Sequence, residues 1–214
     1  ETGLPRLPKE STIELRGPNT ELTLPRDIIE VIFLAGGTGI APAMQVAQAL
    51  ARRTGSRMHI LWANRRREEC IGGISDDTGN AAMQNRVGWW KSFWGPSEPV
   101  ADTPLADSSD STAKGIIVKE LDALKQRSLP TKGGLDVNYY VDEEHTFIQP
   151  GEIERRITRK REGTGSRLII VSGPEGFLEY WAGKKLWANG REVQGPLGGQ
   201  LGRMNLGEWK VIKL

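Results

Sequence analysis

Leu34-Ala35-Gly36-Gly37-Thr38-Gly39-Ile40-Ala41-Pro42 joins an apolar run to an amphipathic segment. Its residue types suit one kind of chemistry, the cradling of a phosphate. A phosphate must come close to backbone N–H groups, and side chains would obstruct it. Gly37 and Gly39, with Gly36 just before them, leave that approach open, and Thr38 adds a hydroxyl donor. The helix that follows carries Pro42 in its first turn and offers unpaired N–H groups and a positive dipole end. The spacing differs from the G-x-G-x-x-G dinucleotide fingerprint, because Pro42 stands in place of the third glycine. It differs from a P-loop too, because no Gly-Lys-Ser/Thr follows. Without a ligand, the same turn is a tight strand-to-helix connection.

Ser172-Gly173-Pro174-Glu175-Gly176-Phe177 repeats the arrangement directly after another apolar run. In an open parallel sheet, ligands sit at the carboxyl ends of strands where the winding reverses, so two such turns can converge on one ligand. Other candidates are weaker. His59 lies inside an apolar strand and reads as a satisfied core histidine. His145, in Asp142-Glu143-Glu144-His145, lacks a second ligand at metal-binding spacing, so no metal is expected. Cys70 follows a run of arginines and glutamates without a resolving thiol or base and reads as a bystander. No nucleophile–base–acid arrangement or paired carboxylates point to hydrolysis.

The elements that must position these turns alternate strand and helix. Residues 31–35, a β-branched apolar run, predict a strand buried on both faces. A helix is expected over 41–53, with Arg52 and Arg53 closing it before Gly55. Further strands are predicted at 58–63, 137–141 and 168–171, with helices at 115–127, 152–161 and 176–188. An earlier strand is expected at 12–16. Residues 72–114 form a long irregular insertion after the second of the alternating strands, rich in Ser, Asp, Thr, Gly and Pro. Within it, Trp89, Trp90, Phe93 and Trp94 read in two ways: rings folded back onto the domain, or a patch for a membrane interface or a partner. The Gly-rich extension at 192–214 is expected to wrap the domain in extended form, anchored by Leu201, Met204, Leu206 and Trp209.

The pair of turns, Gly-Gly-Thr-Gly-Ile-Ala-Pro and Ser-Gly-Pro-Glu-Gly, resembles the NAD(P)H-binding domain of the ferredoxin reductase and NADH-cytochrome b5 reductase flavoproteins. The resemblance covers about residues 12–188. Within the superfamily it is most similar to the fungal mitochondrial flavoproteins of cytochrome c import and maturation. It implies an α/β fold with a doubly wound parallel sheet, an NAD(P)H-binding domain over 26–191, and residues 1–25 as the end of a flavin domain. On this resemblance Gly36, Gly37, Thr38, Gly39 and Pro42 hold the cofactor, while Gly173 and Pro174 border the nicotinamide. Ser172 stands where the family has a cysteine beside the site of hydride transfer, a small polar group without the polarizable sulfur. Asn64, Arg65 and Arg66 fall where the family reads the adenine ribose. A guanidinium fork there suits the 2′-phosphate of NADPH, and Glu68 or Glu69 would suit the ribose hydroxyls of NADH. The family's flavin-binding signature does not occur in the chain, so FAD would be held by a domain in cis. The implied function is an oxidoreductase half that passes hydride to flavin, with electrons going on to haem or a haem protein in a mitochondrion. The competing readings are a non-catalytic assembly factor and a nucleotide-sensing domain.

The 214 residues carry 29 basic and 27 acidic side chains, a net charge of +2, which gives no electrostatic bias toward nucleic acid. A single cysteine excludes an internal disulfide. No apolar run approaches the roughly 18 residues of a membrane span, and no leader pattern opens the chain. Glu1-Thr2-Gly3, which lacks an initiating Met, reads in two ways: an introduced remnant, or the edge of a larger protein that was cut. The 26 glycines and 12 prolines concentrate in the two turns, the insertion and the tail.

Overall fold

The run Ile-Ile-Glu-Val-Ile-Phe-Leu-Ala-Gly forms β1 (Ile28–Gly36), buried at every position except Ile29. A strand covered on both faces must lie at the centre of a sheet, and β1 pairs in parallel with strands on either side. The computed structural model describes residues 22–76, 114–128, 134–159, 163–188 and 190–214. After β1 come α1 (Ile40–Leu50), β2 (Arg57–Asn64), α2 (Ile116–Ser128), β3 (Gly134–Val141), α3 (Pro150–Thr158), β4 (Ser166–Ser172) and α4 (Glu175–Ala182). A hairpin of β5 (Leu186–Ala188) and β6 (Arg191–Val193) follows, and β7 (Trp209–Lys213) closes the chain's strands.

The five-stranded parallel sheet has the order β3-β2-β1-β4-β7. The chain winds outward from β1 through β2 to β3, then returns to place β4 on the other side of β1. Successive residues of β1 feed opposite faces. Val31, Phe33 and Ala35 pack with Leu121 of α2 and Ala43 and Ala47 of α1. Ile32 and Leu34 pack with Ile153 of α3 and Trp181 of α4. Helices therefore cover both faces, and the fold is the doubly wound α/β sheet that the alternation implies. Each large apolar side chain buried this way contributes about 1.5–3 kcal/mol.

Several boundaries differ from expectation. α1 stops at Leu50, short of Arg52 and Arg53. The last helix, expected over 176–188, ends at Ala182 because Gly183 turns to φ +81° and Gly198 packs against it. Residues 186–188 instead pair antiparallel with β6. In the tail, Leu201 and Trp209 are buried and Met204 and Leu206 pack beside them, as the anchors were expected to do. The tail does not stay an extended wrap, however. Residues 209–213 enter the main sheet, from Arg167 opposite Trp209 to Val171 opposite Lys213.

Both outer strands are met by side chains that act as backbone. Along β3, the Val137 N–H donates to Asp76 Oδ2 (2.7 Å), the Asp76 N–H donates to the Val137 carbonyl (3.1 Å), and the Tyr139 N–H donates to Ser75 Oγ (2.9 Å). Along β7, the Lys213 N–H donates to Gln194 Oε1 (2.8 Å) and Gln194 Nε2 donates to the Lys213 carbonyl (2.9 Å). Lys213 itself is buried, and its Nζ donates to the carbonyls of Lys184 and Pro196 at 2.9 and 2.8 Å. Burial, with the charge of Lys185, pushes its pKa down. The expected strand at 12–16, most of the insertion, and its Trp89, Trp90, Phe93 and Trp94 lie outside the described residues. Among the described residues, no helix is long and apolar enough to cross a membrane.

Candidate functional site

At the carboxyl ends of β1 to β4 lies a cleft of about 1130 Å³. It sits where the winding reverses between β1 and β4, the position at which open α/β sheets take their ligands. The two glycine turns meet at its floor. A Cβ on Gly36 would lie 2.8 Å from the ring of Phe177, and one on Gly173 would lie 3.0 Å from the Gly36 Cα and carbonyl oxygen. A Cβ on Gly39 would overlap the Ser172 carbonyl, with the carbonyl carbon at 2.5 Å. These three glycines let one turn touch the other. Gly37 has a different role, because a Cβ there would meet nothing within 4 Å. Its φ of +50° costs an L side chain about 1–2 kcal/mol, and its carbonyl accepts a hydrogen bond from Trp62 Nε1 at 2.9 Å. The open space above Gly37 is where a phosphate would fit.

Of the residues expected from sequence, Gly36, Gly37, Thr38, Asn64, Arg65 and Pro174 line the cleft. Gly39, Pro42, Arg66, Ser172 and Gly173 do not. Ser172 is 6% exposed at the end of β4, behind the turn, and Gly39 and Gly173 act through close backbone approach. Asn64 is 2% exposed at the end of β2, and its Oδ1 has no hydrogen-bond partner among the described residues. That acceptor can take a donor from a ligand.

The basic run after β2 divides by task. Arg67 is committed to structure: its guanidinium grips both carboxylate oxygens of Glu144, and its N–H donates to Glu143 Oε1 at 2.6 Å. The hydrogen bond with Glu144 raises the Arg67 pKa and lowers that of Glu144. Arg65 and Arg66 are exposed and make no ion pair among the described residues. Arg65 lines the cleft together with Glu69, whose Oε2 accepts the Arg65 N–H at 3.3 Å, while Glu68 does not. Cys70 is fully buried, and burial pushes its thiol pKa up despite nearby Arg67, which suits a packing role. His145 is exposed, and no metal-binding cluster occurs among the described residues.

Sequence reasoning missed the cleft's other walls. Phe147, Ile148 and Gln149 come from the connection between β3 and α3, and Tyr180 and Trp181 from α4. The only signal was the position of Phe147 three residues before a Pro-initiated helix, because nothing local says which aromatics face a cleft.

Residues 33–103 match the family model described as an oxidoreductase NAD-binding domain. The matched stretch includes the first glycine turn, α1, β2 and the basic run. It supports the ferredoxin-reductase-type superfamily, pyridine-nucleotide binding and a part in an oxidoreductase. No curated protein sequence matches the chain.

Proposed function

We propose that this chain is the nicotinamide-nucleotide half of an FAD-dependent oxidoreductase, with the flavin held outside the described residues. The observation that carries the reading is the contact between the two glycine turns, which leaves open space above Gly37 on the floor of a largely apolar cleft. In this reading Gly36, Gly37 and Thr38 hold the pyrophosphate, and Asn64 offers its buried Oδ1 to a hydroxyl or amine. Phe147 gives a flat apolar face for adenine, and Pro174 borders the nicotinamide. Arg65 would face a 2′-phosphate, which favours NADPH, while Glu69 on the same wall is the group that would take the hydroxyls of NADH. The nucleotide, when bound, supplies a hydride. The chain's own residues orient it, and the aromatic side chains of Phe177, Tyr180 and Trp181 exclude water from one wall. A role for Ser172 beside hydride transfer, delivery of electrons to a haem protein in cytochrome c maturation, and a mitochondrial location rest on the sequence resemblance.

Titration with NADPH and with NADH, followed by tryptophan fluorescence, tests the reading because Trp62 and Trp181 line the cleft. Gly37→Leu is expected to abolish binding. Arg65→Ala is expected to weaken NADPH about tenfold, the worth of one exposed charge-assisted contact, and to leave NADH unchanged. Arg67→Ala should change neither. Absence of binding at about millimolar nucleotide, a weak affinity worth only about 4 kcal/mol, overturns the reading. Flavin reduction by the longer protein separates a reductase from a nucleotide sensor.

A further inference from the structure

Toward the amino ends of the strands, away from the cleft and on the face of the sheet covered by α3, charged groups are packed where an apolar layer would be simpler. They are Glu30 on β1, Arg57 and His59 on β2, Asp136 on β3, and Glu152 and Arg156 on α3. Glu30, His59 and Glu152 are 3%, 5% and 5% exposed. Buried charges persist only when partnered. Glu152 accepts from the Tyr140 hydroxyl at 2.6 Å, Asn138 Nδ2 at 3.3 Å and Arg156 Nη2 at 3.0 Å. Asp136 Oδ2 accepts from Arg57 Nη2 at 2.6 Å and Nε at 3.1 Å.

His59 has a contest at one atom. Its Nε2 is 3.4 Å from Glu30 Oε1. Its Nδ1 lies 3.0 Å from Asp136 Oδ2 and also 3.0 Å from Arg156 Nη1. One ring nitrogen cannot satisfy both. With a proton, Nδ1 donates to the carboxylate and opposes the guanidinium N–H. Without one, it accepts from the guanidinium and opposes the carboxylate.

The geometry points to a proton-operated switch, in which the proton on His59 Nδ1 selects between a strand-to-strand bond to Asp136 and a helix-to-sheet bond from Arg156. In the protonated state the three carboxylates Glu30, Asp136 and Glu152 are balanced by Arg57, Arg156 and the imidazolium. In the neutral state Asp136 keeps Arg57, and α3 gains a tie to β2. Histidine is the side chain that changes charge between about pH 5 and pH 8. α3 begins at Pro150, directly after Ile148 and Gln149 of the cleft wall, so the tie acts within two turns of that wall whatever the cleft binds.

The chain has two histidines, so His145→Asn leaves one ring to assign. Nitrogen NMR of the isotope-labelled variant from about pH 5 to about pH 9 reports the protonation of each His59 ring nitrogen. Hydrogen exchange over residues 153–158, corrected for the intrinsic pH dependence, reports α3. Nδ1 is expected to lose its proton while Nε2 keeps its own, and α3 amides to gain about fivefold in protection, the worth of one net hydrogen bond. Arg156→Lys keeps a charge beside Glu152 but loses the fork that reaches Glu152 and His59 together. It should leave the ring titration in place and flatten the exchange change. His59→Asn, if it folds, should abolish the exchange change. A Nδ1 that holds one state throughout, loss of the Nε2 proton instead, or an exchange change that survives in Arg156→Lys overturns the switch.

Discussion

Replacing Gly39 by alanine tests whether the two turns are truly pressed together. The added Cβ would overlap the Ser172 carbonyl group and lie 3.0 Å from the Gly173 nitrogen. All three atoms are backbone of one peptide at the end of buried β4, so relief requires moving the turn after β1 away from β4, not turning a side chain. Overpacking in a core costs about 1–3 kcal/mol, and a backbone-to-backbone clash belongs at the upper end. For a chain of this size, about 3 kcal/mol lowers Tm by about 6–12 °C. Gly37→Ala is the control, because its Cβ would enter open space and only the φ of +50° is penalised. That strain of about 1 kcal/mol corresponds to about 2–4 °C. Thermal unfolding by circular dichroism gives both values. If Gly39→Ala melts within about 2 °C of the unmodified chain, or Gly37→Ala is the more damaging change, the close-approach reasoning fails.

Trp62→Phe removes the indole donor that holds the Gly37 carbonyl and leaves a void beside Tyr139, whose ring centroid is 5.9 Å away. Urea unfolding is expected to show a loss of about 1–3 kcal/mol, with weaker nucleotide binding. Asp136→Asn tests the ion cluster under β2. Although burial pushes the Asp136 carboxyl up, hydrogen bonds and charge from His59 and Arg57 outweigh it and hold the pKa well below the usual carboxylate range. A pKa depressed in the folded state gives stability that is complete above the unfolded value of about 3.9 and is lost as pH falls below it. The variant should therefore lose about 1–3 kcal/mol at neutral pH, with the gap narrowing below about pH 4 in urea titrations.

The sheet was legible because its central strands are written in runs such as Val31-Ile32-Phe33-Leu34, where burial on both faces leaves little ambiguity. β7 was not legible. Trp209-Lys210-Val211-Ile212-Lys213 follows a long glycine-rich stretch, and its buried Lys213 is tolerated only because Lys184 and Pro196 supply carbonyls from elsewhere in the chain. The final helix was overrun because Lys184-Lys185-Leu186-Trp187 suits a helix, while the packing of Gly198 on Gly183 that ends it is a long-range event. At the site, the glycines were visible as a pattern, but local sequence could not separate those that face the cleft from those that let two turns touch. His59 was visible as a buried histidine. Its contest between Asp136 and Arg156 was not, since the three residues come from different elements.

The side chains that meet the outer strands have a consequence beyond local hydrogen bonding. A bare edge strand invites another chain to add to it, the common route to domain swapping and fibrous aggregation. Here Asp76 and Ser75 occupy the positions at Val137 and Tyr139 that an incoming strand would claim, and Gln194 does the same at Lys213. At those positions the sheet is closed to growth from both ends of its strand order. Strand addition at those positions would first have to displace Asp76, Ser75 or Gln194.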